Sequence, residues 1–537
     1  MFIYFDSQKQ SVKNVKEISP NIYIYVRGYI IWKDKLYQDY DFAPILNNHL
    51  NDNLLYNNIP KYNGCFNIVI VNNSEITVIN DRWGVFPLFY YKNEHKVVIS
   101  DVWDYLLRYT KKEFRKDATY ESLCFGYVLG NKTLIDDIYE FEPHSYYQIN
   151  RKNGQLKIHK TSYWHLQHNF DVPKRHPKEF KDLWENRFKI FAKHLKEKNY
   201  NAFVPLTAGL DSRQLSTELD NNEIPIYAMT WGGSTKDIEI KTAFQLGPHI
   251  NNLREHNLIY LNQKTLNDIT SCSLTGNLIT SLVFGQRFFY FQNQIKHDCS
   301  SWFPGHSGGL MSGGHLRYRM KFWKTKANII DYILNFKGFA DLRKFLMDNN
   351  SKVKEAIYES LKDTIPDDTD LISSFIRWDV EQKQRRYVIR SSISEPRELM
   401  YLYLPYYDYE IMDFFLNLPF SQLLNKNLKI KALSDYIYKN KPEIRQIKNN
   451  GKPLKPIKNN LVHEYEKKLK NRINKLYGQT NKREYKEDIK WQEMASSLVL
   501  PEFLDKKRLL ENAGPNKKIH HFQNLSLLYK KINGIQK

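Results

Sequence analysis

The sequence predicts two architectures in series: an antiparallel, strand-rich α+β first third, then an α/β region with a parallel sheet and added helices. Three stretches carry that prediction. Residues 62–91, "YNGCFNIVIVNNSEITVINDRWGVFPLFYY", read as β-rich runs with Asn72-Asn73 as a turn between two of them. Residues 203–219, "FVPLTAGLDSRQLSTEL", pass from an apolar run through a small-residue turn into a helical stretch. Residues 224–233, "IPIYAMTWGG", read as a second buried strand ending in a glycine turn.

Taken in order, Asp81-Arg82-Trp83-Gly84 breaks the first strand pattern and Pro87-Leu88-Phe89-Tyr90 restarts it. Residues 125–150 and 162–166 continue the strand-rich region. A glycine-rich segment, "FPGHSGGLMSGGH", occupies 303–315, and 382–433 read as helices. Beyond about residue 458 the chain is Lys-rich and helical, with no recognisable motif, internal repeat or long low-complexity tract.

Composition narrows the class. At 537 residues the chain is long enough for two to four domains of about 150 residues. Hydrophobic residues make up 42%, enough for globular cores. The N-terminal stretch "MFIYFDSQKQSVKN" has no targeting pattern, and no apolar run approaches the roughly 18 residues of a membrane span. Cys65, Cys124, Cys272 and Cys299 form no CxxC pair and read as reduced, buried residues of a cytoplasmic protein. The net charge is +21, and residues 441–537 hold 23 Lys/Arg against 10 Asp/Glu. That surplus is either a solvated surface or a docking surface for an anionic partner. Without a nucleic-acid module beside it, nucleic acid is the weaker expectation, and a salt-dependent shift of RNA or DNA would reveal it.

The 203–219 stretch has a chemical logic. A strand that ends in small residues and opens a helix presents backbone N–H groups and the positive helix terminus to an anion. Small side chains let phosphate oxygens approach the backbone. A carboxylate there, Asp211, suits a polyphosphate if it holds Mg²⁺. The plainer alternative is a capped helix after a buried strand, with Asp211 or Ser212 as the cap.

On these residues the chain resembles the class II asparagine synthetase family. Gly64-x-Phe66, Asp81-Arg82-x-Gly84, Pro87-Leu88-Phe89-Tyr90 and Gly126…Gly130-Asn131-Lys132-Thr133-Leu134…Ile138…Pro143 are similar to that family's glutaminase domain, and Tyr163-Trp164 to its link to the second domain. The resemblance implies an Ntn-hydrolase sandwich of two antiparallel sheets between helices. Its nucleophile is a cysteine at position 2, where this chain has Phe2, and the glutamine-binding arginine stretch is not evident at 40–60. The expectation is a domain without glutaminase activity, kept as a scaffold; Cys65 cannot take the terminal cysteine's place.

Thr207-Ala208-Gly209-Leu210-Asp211-Ser212 resembles the family's pyrophosphate loop, Ser-Gly-Gly-Leu-Asp-Ser. Ala in place of Gly is tolerable where φ is negative. The resemblance implies ATP bound by Leu206, Thr207, Ala208, Gly209, Leu210, Asp211, Ser212 and Gly305, with Leu206, Met229 and Thr230 flanking adenine and ribose and Asp211 on Mg²⁺. Asp237 is either a plain N-cap or a ligand contact. In the 303–315 loop, anchored on Gly305 and Gly313-Gly314, the family's Mg²⁺-binding Asp falls on Gly309 and its next Glu on Leu310, so both acids are missing. His306 stands where β-lactam-forming relatives use a Tyr; it is either a general base or a histidine bonded within its loop. Pro405-Tyr406-Tyr407-Asp408…Leu418-Pro419 resembles the family's Pro-Phe-Leu-Asp…Leu-Pro. The family's pyrophosphate-balancing Lys is carried to Lys448, with Lys452 as competitor and a surface role as the alternative. Arg385 and Arg386 meet either an acidic substrate or solvent on a helix surface.

The expected organisation is 1–167 glutaminase-like, 168–457 ATP-pyrophosphatase-like and 458–537 a basic helical extension. The expected function is an ATP- and Mg²⁺-dependent ligase forming an amide bond on a small-molecule or peptide carboxylate, with an amine donor the residues do not name. The alternative is a non-catalytic member of the same family acting with a protein partner.

Overall fold

The computed structural model describes residues 16–72, 75–152, 155–260, 300–335, 340–367, 370–390, 400–449, 453–456, 499–506, 509 and 519–533. Phe2, Cys272, Cys299, Lys452 and most of the Lys-rich stretch lie outside these.

The first half holds two antiparallel sheets. The larger is ordered β1-β2-β4-β5-β9-β10, with β3 also on β2. Its strands are β1 (Lys16–Ser19), β2 (Ile22–Trp32), β3 (Lys35–Gln38), β4 (Asn63–Val71), β5 (Glu75–Asn80), β9 (Ser145–Lys152) and β10 (Gln155–Ser162). The smaller, β7-β6-β8, is built from β6 (Phe89–Lys92), β7 (Val97–Ser100) and β8 (Ile138–Glu140). Alternation along each strand assigns the faces. Ile24, Val26, Ile68 and Ile70 form one core with Phe42, Leu46 and Leu55. Tyr25, Val69 and Val78 form another with Leu88, Tyr90 and Ile99 beside the smaller sheet. Both faces of the central strands are covered, which explains the unbroken apolar run of β4. Asn72 turns the chain into β5 by accepting the Glu75 N–H at 2.8 Å.

Asp81 shapes the turn that breaks the strand pattern. Its buried carboxylate accepts N–H groups from Phe66 (2.9 Å), Trp83 (2.6 Å) and Val85 (3.3 Å). Burial pushes it up to about 6 even so.

The second half holds a parallel sheet ordered β13-β12-β11-β14-β15. Its strands are β11 (Ala202–Pro205), β12 (Ile226–Gly232), β13 (Leu253–Tyr260), β14 (Ser301–Trp302) and β15 (Tyr401–Leu402). The chain moves outward from β11 to β13, then returns to the other side of β11 for β14. The order therefore reverses between β11 and β14, and in open parallel sheets that crevice at the carboxyl ends is where ligands bind.

The halves share one continuous core and a buried ionic clasp. Glu140, at the end of β8, receives Arg385 (3.1 Å), Arg386 (2.5 Å) and Arg390 (Nε, 3.0 Å). Arg385 and Arg386 belong to the π-helical stretch Asp379–Ile389. Its i→i+5 bonding stacks residues four to five apart, which lets Arg390 join them. The two arginines therefore face neither solvent nor a substrate: both are buried against the first half. The helix Ile519–Ile532, in the basic tail, packs its apolar face on the rest of the chain. It buries Phe522, Leu525 and Leu528, and Tyr529 meets Phe114 at 5.9 Å. Among the described residues no helix is long and apolar enough to cross a membrane.

Candidate functional site

The carboxyl ends of β11, β14 and β15 converge on Asp211. Loop Leu206–Gly209 leaves β11 and opens the helix Leu210–Asn221. Its backbone is held open by its own side chains. The Thr207 N–H donates to Ser212 Oγ at 3.1 Å, the two hydroxyls lie 2.9 Å apart, and the Gly209 N–H donates to Thr207 Oγ1 at 3.1 Å. Ala208 stays out of the left-handed region, the condition under which it replaces glycine without strain. Its N–H already holds an anion: it donates to Glu239 Oε2 at 2.7 Å, from the first turn of the helix Ile238–Leu246.

Asp211 itself is tightly surrounded. Lys429 Nζ donates to its Oδ1 at 2.6 Å, and the lysine is fully buried. Burial alone would raise the Asp211 carboxyl, but Lys429, Lys426 and the Gly309 N–H hold it below the usual carboxylate range. Burial in turn pushes Lys429 down to about 8, against the pull of Asp211. Tyr406, which follows β15, donates to the Asp211 carbonyl at 3.1 Å or to Gln214 Oε1 at 3.0 Å, and its ring lies 4.2 Å from Lys429 Nζ.

The glycine-rich loop after β14 fits against this group because it lacks side chains. A Cβ at Gly305 would come 2.8 Å from the Ser212 nitrogen, and one at Gly308 2.9 Å from Asp211 Cγ. At Gly309 it would lie 2.6 Å from Lys426 Nζ and 3.2 Å from Asp211 Oδ2. Three non-glycine residues here adopt positive φ, Ser307 (65°), Asn425 (57°) and Lys426 (62°). Such conformations cost about 1–3 kcal/mol each and persist where the surroundings impose them.

The other sequence candidates fall around this centre in different ways. Leu206, just after β11, and Met229, midway along β12, are buried side by side, with the Leu206 N–H on the Met229 carbonyl at 2.9 Å. The Thr230 hydroxyl donates to the Leu206 carbonyl at 2.8 Å. Leu210 is buried at the start of its helix. Asp237 accepts from Gly233 (2.8 Å) and Ser234 (3.3 Å), closing the turn after β12. Half-buried His306 is pushed down to about 4 by burial, with Asp211 opposing the shift, so its imidazole is a weak base. Lys448 is exposed, but its loop is tied to the site. Arg213, two residues beyond Asp211, donates to the carbonyls of Ile447 (2.7 Å), Ile444 and Lys448 (both 3.4 Å).

Sequence reading missed Lys426, Lys429, Glu239 and the pair His315–Asp379. A lysine three residues before another in "NKNLKIK" is an ordinary helical pattern and gave no signal. His315 follows Gly314, where a Cβ would meet Lys426 Cε at 2.7 Å, and its Nδ1 is hydrogen-bonded to Asp379 Oδ2. Burial would raise the Asp379 carboxyl, but His315 and Lys383 hold it low and ionised. The bond to Asp379 fixes the orientation of the His315 imidazole.

The donor set does not suit Mg²⁺. That ion takes hard oxygen ligands, commonly carboxylates beside substrate phosphates. Here Asp211 gives its oxygen to Lys429, and Gly309 and Leu310 bring no acid. Among the described residues no group of three or more His, Cys, Asp or Glu could hold a metal ion. The Ala208 N–H, which already holds a carboxylate, and the two lysines do suit phosphate.

Residues 54–164 match a family model described as a glutamine amidotransferase domain. The first half is thus similar to that domain, while neither described cysteine can act as its nucleophile: Cys65 and Cys124 are buried, and burial pushes the Cys124 thiol up to about 12 and Cys65 well up. Among solved structures, glutamine phosphoribosylpyrophosphate (PRPP) amidotransferase from B. subtilis, complexed with ADP and GMP, aligns at 10% identity. The alignment covers 45% of this chain and 71% of that one at a TM-score of 0.19. No curated protein matches the chain.

Proposed function

We propose that the chain is an ATP-dependent ligase of the asparagine-synthetase kind. It would activate a carboxylate as an acyl-adenylate with release of pyrophosphate, form the amide on attack of an amine with release of AMP, and hydrolyse no glutamine itself. The observation that carries this reading is the convergence of the β11 loop, the glycine-rich loop and two lysines at the sheet's switch point.

ATP, when bound, supplies the adenylyl group that activates the carboxylate. The chain's residues do the rest. The Ala208 N–H, once Glu239 leaves it, and the helix terminus at Leu210 orient phosphate oxygens. Lys429 and Lys426 offset the charge of the leaving pyrophosphate, and Arg213 keeps the Lys448 loop beside them. Leu206 and Met229 form the apolar floor beside the purine. His315, oriented by Asp379, takes the proton from the attacking amine. The carboxylate belongs to a small molecule or a peptide, and the amine to the same substrate, a second one or free ammonia.

His315→Gln is expected to lower amide formation by about a hundredfold while leaving carboxylate-dependent ATP–pyrophosphate exchange intact. Equal loss of both rates would remove His315 from the proton-transfer role. Glu239→Ala frees the Ala208 N–H and is expected to tighten pyrophosphate binding by about tenfold in calorimetry. Unchanged affinity would mean that phosphate does not use that amide. The reading as a whole is tested by pyrophosphate release from ATP across a panel of carboxylates, with glutamate release from glutamine measured alongside.

The second reading, a non-catalytic partner protein, is favoured by one observation. Glu239 and Lys429 already engage the Ala208 N–H and Asp211. Absence of nucleotide and pyrophosphate binding under all conditions would select it.

A further inference from the structure

We propose that Lys426 and Lys429 stand in for a divalent cation at Asp211, so that this site holds a nucleotide's phosphates or free pyrophosphate without a metal. The inference rests on the phosphate-site reading above and goes beyond it, because that family resemblance implies Mg²⁺.

Four observations point the same way. Lys429 reaches Asp211 Oδ1 at 2.6 Å from full burial, so an ammonium already occupies the carboxylate's best direction. Lys426 Nζ lies 2.6 Å from where a Gly309 Cβ would be, so the space of the missing acid is taken by a cation. The turn that delivers Lys426 runs through two successive left-handed residues, Asn425 and Lys426, a costly conformation that fixes where its side chain starts. Gly314 is also required: a Cβ there would meet Lys426 Cε at 2.7 Å and the Gly309 carbonyl at 2.5 Å.

The electrostatics are coherent. With Glu239 on Ala208, two ammonium groups face two carboxylates; a polyphosphate that displaces Glu239 meets two ammonium groups and one carboxylate. A second carboxylate at 309 would require a metal to offset it, whereas glycine there lets Lys426 approach Asp211 directly. Ammonium groups bind phosphate as point charges with several donors and impose no octahedral geometry. Asp211 then acts as a positioning residue that holds Lys429 toward the ligand. The charge that leaves with pyrophosphate meets cations fixed in the chain.

The test is calorimetric titration of the full chain with inorganic pyrophosphate and with ATP, in EDTA and in excess MgCl₂. The expected result is binding in EDTA within about threefold of that in MgCl₂. Lys429→Met and Lys426→Met should each weaken binding in EDTA by at least about tenfold. Lys426 is only half-buried, so its variant keeps the test usable even where Lys429→Met fails to fold. Binding that appears only with MgCl₂ would overturn this inference and leave the phosphate site standing. Binding in EDTA that ignores both substitutions would also overturn it. No binding in either buffer would overturn the phosphate-site reading and this inference together.

Discussion

Glu140→Gln is expected to destabilise the protein by about 3–5 kcal/mol, the usual cost of removing one partner from a buried ion pair. Glu140 is fully buried and is the anion shared by Arg385, Arg386 and Arg390. Arg386 also donates to the Val128 and Lys132 carbonyls, and Arg390 to those of Gly84 and Val85. Those carbonyls stay in the variant, but they offset no charge. Burial alone would raise the Glu140 carboxyl; Arg390, Arg385 and Arg386 instead bring it from 4.5 to about 2. Because its folded value is depressed, its stabilisation is complete above about pH 5 and is lost as pH falls through about 2. Wild type and variant should therefore differ most in chemical unfolding at neutral pH and converge in acid. A difference below about 1 kcal/mol at pH 7 would show that the carbonyls alone satisfy the guanidiniums.

Asp211→Asn is expected to reduce pyrophosphate release by at least about a hundredfold, the scale of losing one preorganised electrostatic group. Asparagine keeps the size and can still accept the Gly309 N–H. What it loses is the charge that holds Lys429. The fold should survive, because Lys429 is already pushed down to about 8. It can discharge instead of staying charged and unpaired, at a cost of about 1–2 kcal/mol near pH 7. Release within about threefold of wild type, with the unfolding midpoint unchanged, would remove Asp211 from the site.

The local parts of this architecture were legible in the sequence. The β4–β5 run, its Asn72 turn, the strand-to-helix loop at 203–212 and the glycines at 305 and 309 all announce themselves through short-range pattern. What escaped depends on pairs brought together by tertiary structure. Lys429 and Asp211 are 218 residues apart, and Arg386 and Glu140 are 246 apart. Nothing in the spacing of either pair distinguishes a clasp or a charge-balancing group from a solvated face. Arg385 and Arg386 misled for that reason. Strands β14 and β15 are two residues each, too short to show a period. His315 was hidden behind its glycines because its partner, Asp379, lies 64 residues on in a π-helical stretch.

On the proposed reading, the loop from Thr207 to Ser212 cradles phosphate. A crystal structure of the full chain soaked with inorganic pyrophosphate tests it most directly. Phosphate oxygens are expected within hydrogen-bond distance of the Ala208 N–H and Lys429 Nζ, with the Glu239 carboxylate moved off Ala208. Pyrophosphate bound elsewhere, with Glu239 still on Ala208 and Lys429 still on Asp211 alone, would contradict it.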